Sequence, residues 1–90
     1  IYMNASGYSA FDPGNSACTA TGATLKKGIV AVDPSVIPLG TRVYIPGYGE
    51  AVAADVGTGI RGDMIDIAFD THEEALLFVF QTISVYIIEE

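Results

Sequence analysis

Turn-forming residues interrupt this chain before any apolar run grows long. Pro13-Gly14, Gly28, Pro34, Pro38 with Gly40, Pro46-Gly47, and then Gly57, Gly59 and Gly62 fall between short stretches rich in Val, Ile and Tyr. Proline fixes φ and removes a backbone donor, and glycine opens turn conformations that other residues resist, so the pattern suits short strands joined by tight connections. No repeated βαβ rhythm fits between such breaks.

Read in order, residues 1–10 alternate apolar and small polar side chains around Tyr2 and Tyr8, a first strand interrupted near Gly7. Residues 11–16 are loop, and Thr19-Ala20-Thr21-Gly22 sets hydroxyls beside a glycine, either as a connector or as a contact for a sugar. Ile29-Val30-Ala31-Val32 reads as a buried strand that stops at Asp33-Pro34. Residues 41–45 and 50–55 flank Pro46-Gly47-Tyr48-Gly49 and form the clearest hairpin. In residues 63–69, Ile65, Ile67 and Phe69 fall on one face and Met64, Asp66 and Ala68 on the other, which leaves Asp66 on the accessible side. Helical spacing appears at Ala75, Leu76 and Val79, with Asp70 and Glu73 placed like a cap and its capping-box acid. Residues 83–88 return to strand alternation. Six short strands and one helix predict a small, closed or nearly closed β-barrel.

Ninety residues, half of them apolar and 17% charged, predict one domain spanning 1–90 with a modest core. A net charge of −7 lacks the basic footprint that a phosphate backbone requires, so nucleic acid is not an expected partner. No apolar run is long enough to span a bilayer. The chain opens at Ile1 rather than Met, which suits an excised domain or mature fragment. A lone Cys18 forms no internal disulfide, and its pairing with His72 as nucleophile and base is weaker than a simple packing role.

Residues 55–70 concentrate Asp55, Asp63, Asp66 and Asp70 among three glycines. Gly57-Thr58-Gly59-Ile60-Arg61-Gly62 matches G-x-G-x-x-G in letters, but a strand follows where the dinucleotide fingerprint needs a helix. The glycines better suit a tight turn or a close approach of backbone to ligand. By pattern alone Asp55 and Asp66 suit ordinary turn or surface acids; against that, Asp66 lies inside an apolar run, where an acid needs a compensating role, and pairing of its strand with the one ending at Asp55 would bring both into one cleft. A partly desolvated Asp beside another carboxylate has its protonated form favoured, as a general acid requires. Asp70, about 13 Å along an extended strand from Asp66, suits the helix cap. Asp63 suits a solvated turn, His72 an exposed helix turn, and Asp33 either a turn or a third acid of the cleft. No spacing of His, Cys or carboxylates indicates a metal, and no cofactor is expected.

These residues resemble the 3D (Asp-Asp-Asp) domain of bacterial cell-wall proteins and of membrane-bound lytic transglycosylase A. The resemblance runs from about Ala5 to Ile88 and rests on Thr19-Ala20-Thr21-Gly22, Lys27 to Pro34, Ile37 to Thr41, and Asp55 to Asp70, with its Asp-x10-Asp-x3-Asp spacing. It implies a double-psi β-barrel with a groove for a peptidoglycan glycan strand. The implied reaction cleaves between N-acetylmuramic acid and N-acetylglucosamine without water, giving a 1,6-anhydro product. By this resemblance Asp66 looks like the catalytic acid, Asp55 its partner, Asp70 the third acid of the pattern and Asp33 an acid of the same cleft; Asp33 and Asp70 are expected substrate contacts, together with Thr21, Gly57 and Gly59, whose hydroxyl and open backbone suit a sugar. A non-catalytic glycan-binding barrel is the alternative. Either role implies an extracytoplasmic domain of a longer bacterial protein, with a homodimer or a neighbouring domain helping so small a groove to grip a polymer. Two departures stand out: Asp55-Val56-Gly57-Thr58 replaces the common Asp-Thr-Gly-Gly, and Asp63 stands where Asn is common.

Overall fold

Seven strands and one helix occur among the described residues, in the order β1 (Tyr2–Ser9), β2 (Ile29–Ala31), β3 (Arg42–Ile45), β4 (Gly49–Asp55), β5 (Met64–Phe69), α1 (His72–Leu77), β6 (Gln81–Ser84) and β7 (Tyr86–Ile88). The computed structural model describes residues 1–9, 19, 22, 24–57, 59–78 and 80–88. The strands form one sheet in the order β6-β1-β5-β2-β4-β3-β7. Its two outer strands are consecutive pieces of a single segment, so the sheet curls into a nearly closed barrel.

That closure explains why seven strands replace the six expected. The segment read as one strand over 83–88 changes partner at Val85: β6 pairs antiparallel with β1, and β7 pairs antiparallel with β3. A strand that serves both edges must bend between them. The bend is held where the Val85 N–H donates to the Ile1 carbonyl at 2.7 Å and the Ile1 ammonium donates to the Val85 carbonyl at 2.8 Å.

The interior follows strand alternation. Val43 and Ile45 of β3, Ala51 and Ala53 of β4, and Ile65 and Ile67 of β5 turn inward with Met3, Ala5, Val30 and Val85. Arg42 and Tyr44 between them are exposed. The expected β3–β4 hairpin is present, pairing Arg42 with Val52 through Ile45 with Gly49. At its turn the Tyr48 hydroxyl accepts from the Gly28 N–H at 2.7 Å and donates to the Ala68 carbonyl at 2.5 Å, tying the hairpin to β5.

Helix α1 starts one residue later than the capping pattern suggested. Thr71, in an extended conformation, is the N-cap; its hydroxyl accepts from the Glu74 N–H at 3.1 Å and contacts the Glu74 carboxylate at 3.1 Å. Asp70 is therefore not the cap, because its Oδ1 accepts instead from the Lys27 N–H at 3.0 Å. The two patterns, Asp70 with Glu73 and Thr71 with Glu74, differ by one register step, and the backbone donor of Lys27 decides between them. The helix also stops short of Phe80. Phe78 leaves helical conformation and its ring packs 5.5 Å from that of Phe69. The helix approaches β1 at Gly7, where an added Cβ would lie 2.9 Å from the Ala75 carbonyl oxygen. No helix among the described residues is long and apolar enough to cross a membrane.

Candidate functional site

Period-two alternation on β5 sends Ile65 and Ile67 into the barrel and leaves Asp66 and Ala68 on the opposite face. Asp66 is half-buried there rather than freely accessible, because a second apolar cluster of Leu25, Ile29, Ala54 and Ala68 covers part of that face. Asp55 joins it by a different route from the one expected. β4 and β5 do not pair with each other; β2 lies between them, with Ala31 opposite Asp66 on one side and opposite Asp55 on the other. The backbones bearing the two acids are thus two sheet spacings apart, about 10 Å.

A β-bulge puts Asp55 on this face. Ala51 and Ala53 point inward, so strict alternation would turn Asp55 inward too. Between β2 and β4, however, Val30 pairs with Ala53 and Ala31 pairs with Asp55, so Ala54 is an extra residue. One inserted residue reverses the parity of everything after it.

Hydroxyls from β1 meet both acids. Ser6 is paired with Asp66 in the parallel β1–β5 register, and its hydroxyl donates to Asp66 Oδ1. The Tyr8 hydroxyl donates to Asp55 Oδ2 at 3.1 Å, while the Val56 N–H donates to Asp55 Oδ1 at 2.9 Å. Burial pushes the pKa of Tyr8 well up, and the charge of Asp55, the bond to it and the charge of Asp66 add to the rise. Sequence reading placed Tyr8 on a strand but assigned neither it nor Ser6 to the site. Their i, i+2 spacing was the available signal, and it gains meaning only with the β1–β5 register.

The remaining predicted residues are placed as follows. Asp33 Oδ2 accepts from the Gly62 N–H at 2.9 Å, and its Oδ1 accepts from the Ser35 N–H at 3.0 Å and hydroxyl at 2.7 Å. These bonds, that of Gly62 foremost, pull its pKa from 3.8 down to about 2. Asp33 thereby clamps the glycine loop, and Gly62 reaches it with φ +62°, where a side chain would be strained. Gly57 and Gly59 are exposed in that loop, and the Gly57 carbonyl accepts from the Ile60 N–H at 3.0 Å in a turn. Asp70 lies beyond β5 against Lys27 and apart from the Asp55–Asp66 pair. Asp63 is exposed, 3.4 Å from Asn4 Nδ2, and His72 is half-buried. Thr21 and Cys18 lie outside the described residues. Among the described residues no three His, Cys, Asp or Glu side chains converge as metal ligands would.

Residues 28–89 match the 3D domain. The chain belongs to this family. It is 44% identical over 92 residues to Cell wall-binding protein YocH of Bacillus subtilis (strain 168), covering 98% of this chain and 32% of that protein. It is 40% identical over 90 residues to the Putative cell wall shaping protein YabE of the same organism, covering 96% of this chain and 22% of that one. The chain thus spans a third or less of the length of these relatives. Within this 3D domain, the acids of the Asp-x10-Asp-x3-Asp spacing lie at the end of β4, within β5 and just past β5. The first two share a face, and the third bonds the backbone ahead of β2.

Proposed function

We propose that this 3D domain engages the glycan strand of peptidoglycan through the face bearing Ser6, Tyr8, Asp55 and Asp66, as an extracytoplasmic part of a longer bacterial protein. The observation that carries this reading is the convergence of two carboxylates and two hydroxyls on one half-buried face. Paired donors and acceptors of this kind match the hydroxyl and amide groups of an amino sugar polymer. The names of the relatives, cell wall-binding and cell wall-shaping, support the same partner. Co-sedimentation of the purified chain with insoluble peptidoglycan tests it. Binding that soluble glycan fragments compete away is expected, and absence of binding overturns the proposal. A 90-residue barrel offers a polymer little surface, so a second copy of the chain or a flanking segment completes the grip in this reading. We extend the family's double-psi connectivity to the barrel on the strength of its two parallel pairs, β1 with β5 and β2 with β4.

One observation favours a second reading, a lytic transglycosylase. Asp55 has both oxygens engaged, whereas Oδ2 of Asp66 has no hydrogen-bond partner among the described residues and is left to meet a ligand. In this reading Asp66 first gives its proton to the glycosidic oxygen, and the bond to the sugar breaks. The resulting carboxylate then takes the proton of the sugar's own 6-hydroxyl as that oxygen closes the anhydro ring, which restores Asp66. No second carboxylate is needed to activate water, unlike in a hydrolase. Release of anhydromuropeptides by wild type but not by Asp66→Asn is expected. Binding without release, undiminished in Asp66→Asn, leaves the domain as a glycan-binding module.

A further inference from the structure

Tyr8 and Asp55 are far apart in the sheet, yet their side chains touch. The order β1-β5-β2-β4 puts two strands between them, and neighbouring strands stand about 4.8 Å apart. The phenol bridges this span over the apolar cluster of Leu25, Ile29, Ala54 and Ala68, against which it packs. Ala68 is the β5 residue paired with Tyr8, and the β2 residue opposite both acids is Ala31. On the same strand, two residues earlier, Ser6 holds the other acid.

We infer that Tyr8 is a positioning residue: by holding Oδ2 of Asp55 while the Val56 N–H holds Oδ1, it fixes the carboxylate that stands beside Asp66. β1 then sets the geometry of both acids, Asp66 through Ser6 and Asp55 through Tyr8. The inference rests on the reading that this face meets glycan. Tyr8 suits the task because a phenol on two rotatable bonds is nearly rigid, and because burial and the nearby carboxylates keep its proton in place. It therefore remains a donor through neutral and mildly alkaline pH.

Tyr8→Phe removes the hydroxyl and keeps the ring against the cluster of Leu25, Ile29, Ala54 and Ala68. Expected is a loss of about tenfold or more in peptidoglycan affinity, or in kcat rather than KM if wild type releases anhydromuropeptides, with the fold retained by circular dichroism. A residue acting through Asp55 adds nothing further once Asp55→Asn is present, so the double variant should match Asp55→Asn alone; independent, additive losses would overturn the proposal. A second measurement needs no glycan. In crystal structures of wild type and Tyr8→Phe, the Asp55 carboxylate should change orientation while β1 and β4 keep their backbone course. An unmoved carboxylate overturns the proposal whatever the domain binds. A carboxylate that moves in a domain whose wild type neither binds nor cleaves peptidoglycan instead overturns the glycan reading and supports the Tyr8–Asp55 pairing.

Discussion

The two faces of β5 are built on opposite terms. Inside the barrel, Ile65 and Ile67 are completely buried among aliphatic side chains, and shape and volume alone hold them. On the other face, Ala68 belongs to a smaller apolar cluster with Leu25, Ile29 and Ala54, and directed bonds add the order beside it: Ser6 to Asp66, Tyr8 to Asp55, Tyr48 to the Ala68 carbonyl. The interior tolerates no charge and supplies stability. The opposite face carries a smaller apolar cluster and gains a fixed arrangement of polar atoms. Substitutions on the first should therefore be read in stability and those on the second in function.

The most severe way to break this division is to delete Ala54. Removing the extra residue restores alternation on β4 and drives Asp55 toward the interior. A stability loss of about 4 kcal/mol or more in denaturant unfolding is expected, partly recovered when Asp55→Ala accompanies the deletion. Ile67→Ala attacks the interior directly and should cost about 3 kcal/mol in the same measurement, with peptidoglycan binding intact while the chain is folded.

Asp33 sharpens the comparison through pH. Its folded pKa of about 2 lies below the unperturbed 3.8, so folding favours its ionised form. The stability it contributes is complete above the unperturbed value, declines as pH falls from there toward 2, and is absent below that. The thermal midpoint of wild type should exceed that of Asp33→Asn near neutral pH, and the gap should close in that acid window. The smallest effect belongs to Glu50→Gln, which removes the charge from the 2.9 Å contact of Arg42 with Glu50 on the exposed surface. A change under about 1 kcal/mol is expected, with function unaltered.

Much of the interior was legible from residue pattern. Alternation in 63–69 separates Ile65 and Ile67 from Asp66, and Pro46-Gly47 marks the hairpin turn. The pairing of Asp55 with Asp66 on one face was also legible in outcome, but its cause was not. Alternation from Ala51 and Ala53 sends Asp55 inward, and nothing in Ala53-Ala54-Asp55 announces a bulge, because the bulge arises from pairing with β2. Ser6 and Tyr8 escaped notice for a related reason. Their partners are 60 and 47 residues away, and only strand register brings them together. Local rules also erred by one step at Thr71, where two overlapping capping patterns competed and a distant backbone donor took Asp70.

Closure by a single segment has a kinetic consequence. Tyr2 pairs with Ser84 and Tyr44 with Tyr86, so both seams of the barrel wait for the same eight residues, 81–88. Pairings this distant in sequence form slowly, and until they form β1 and β3 each present an open edge to other chains. A lesion at Val85 would then show itself less as a weaker fold than as a race between sealing and aggregation.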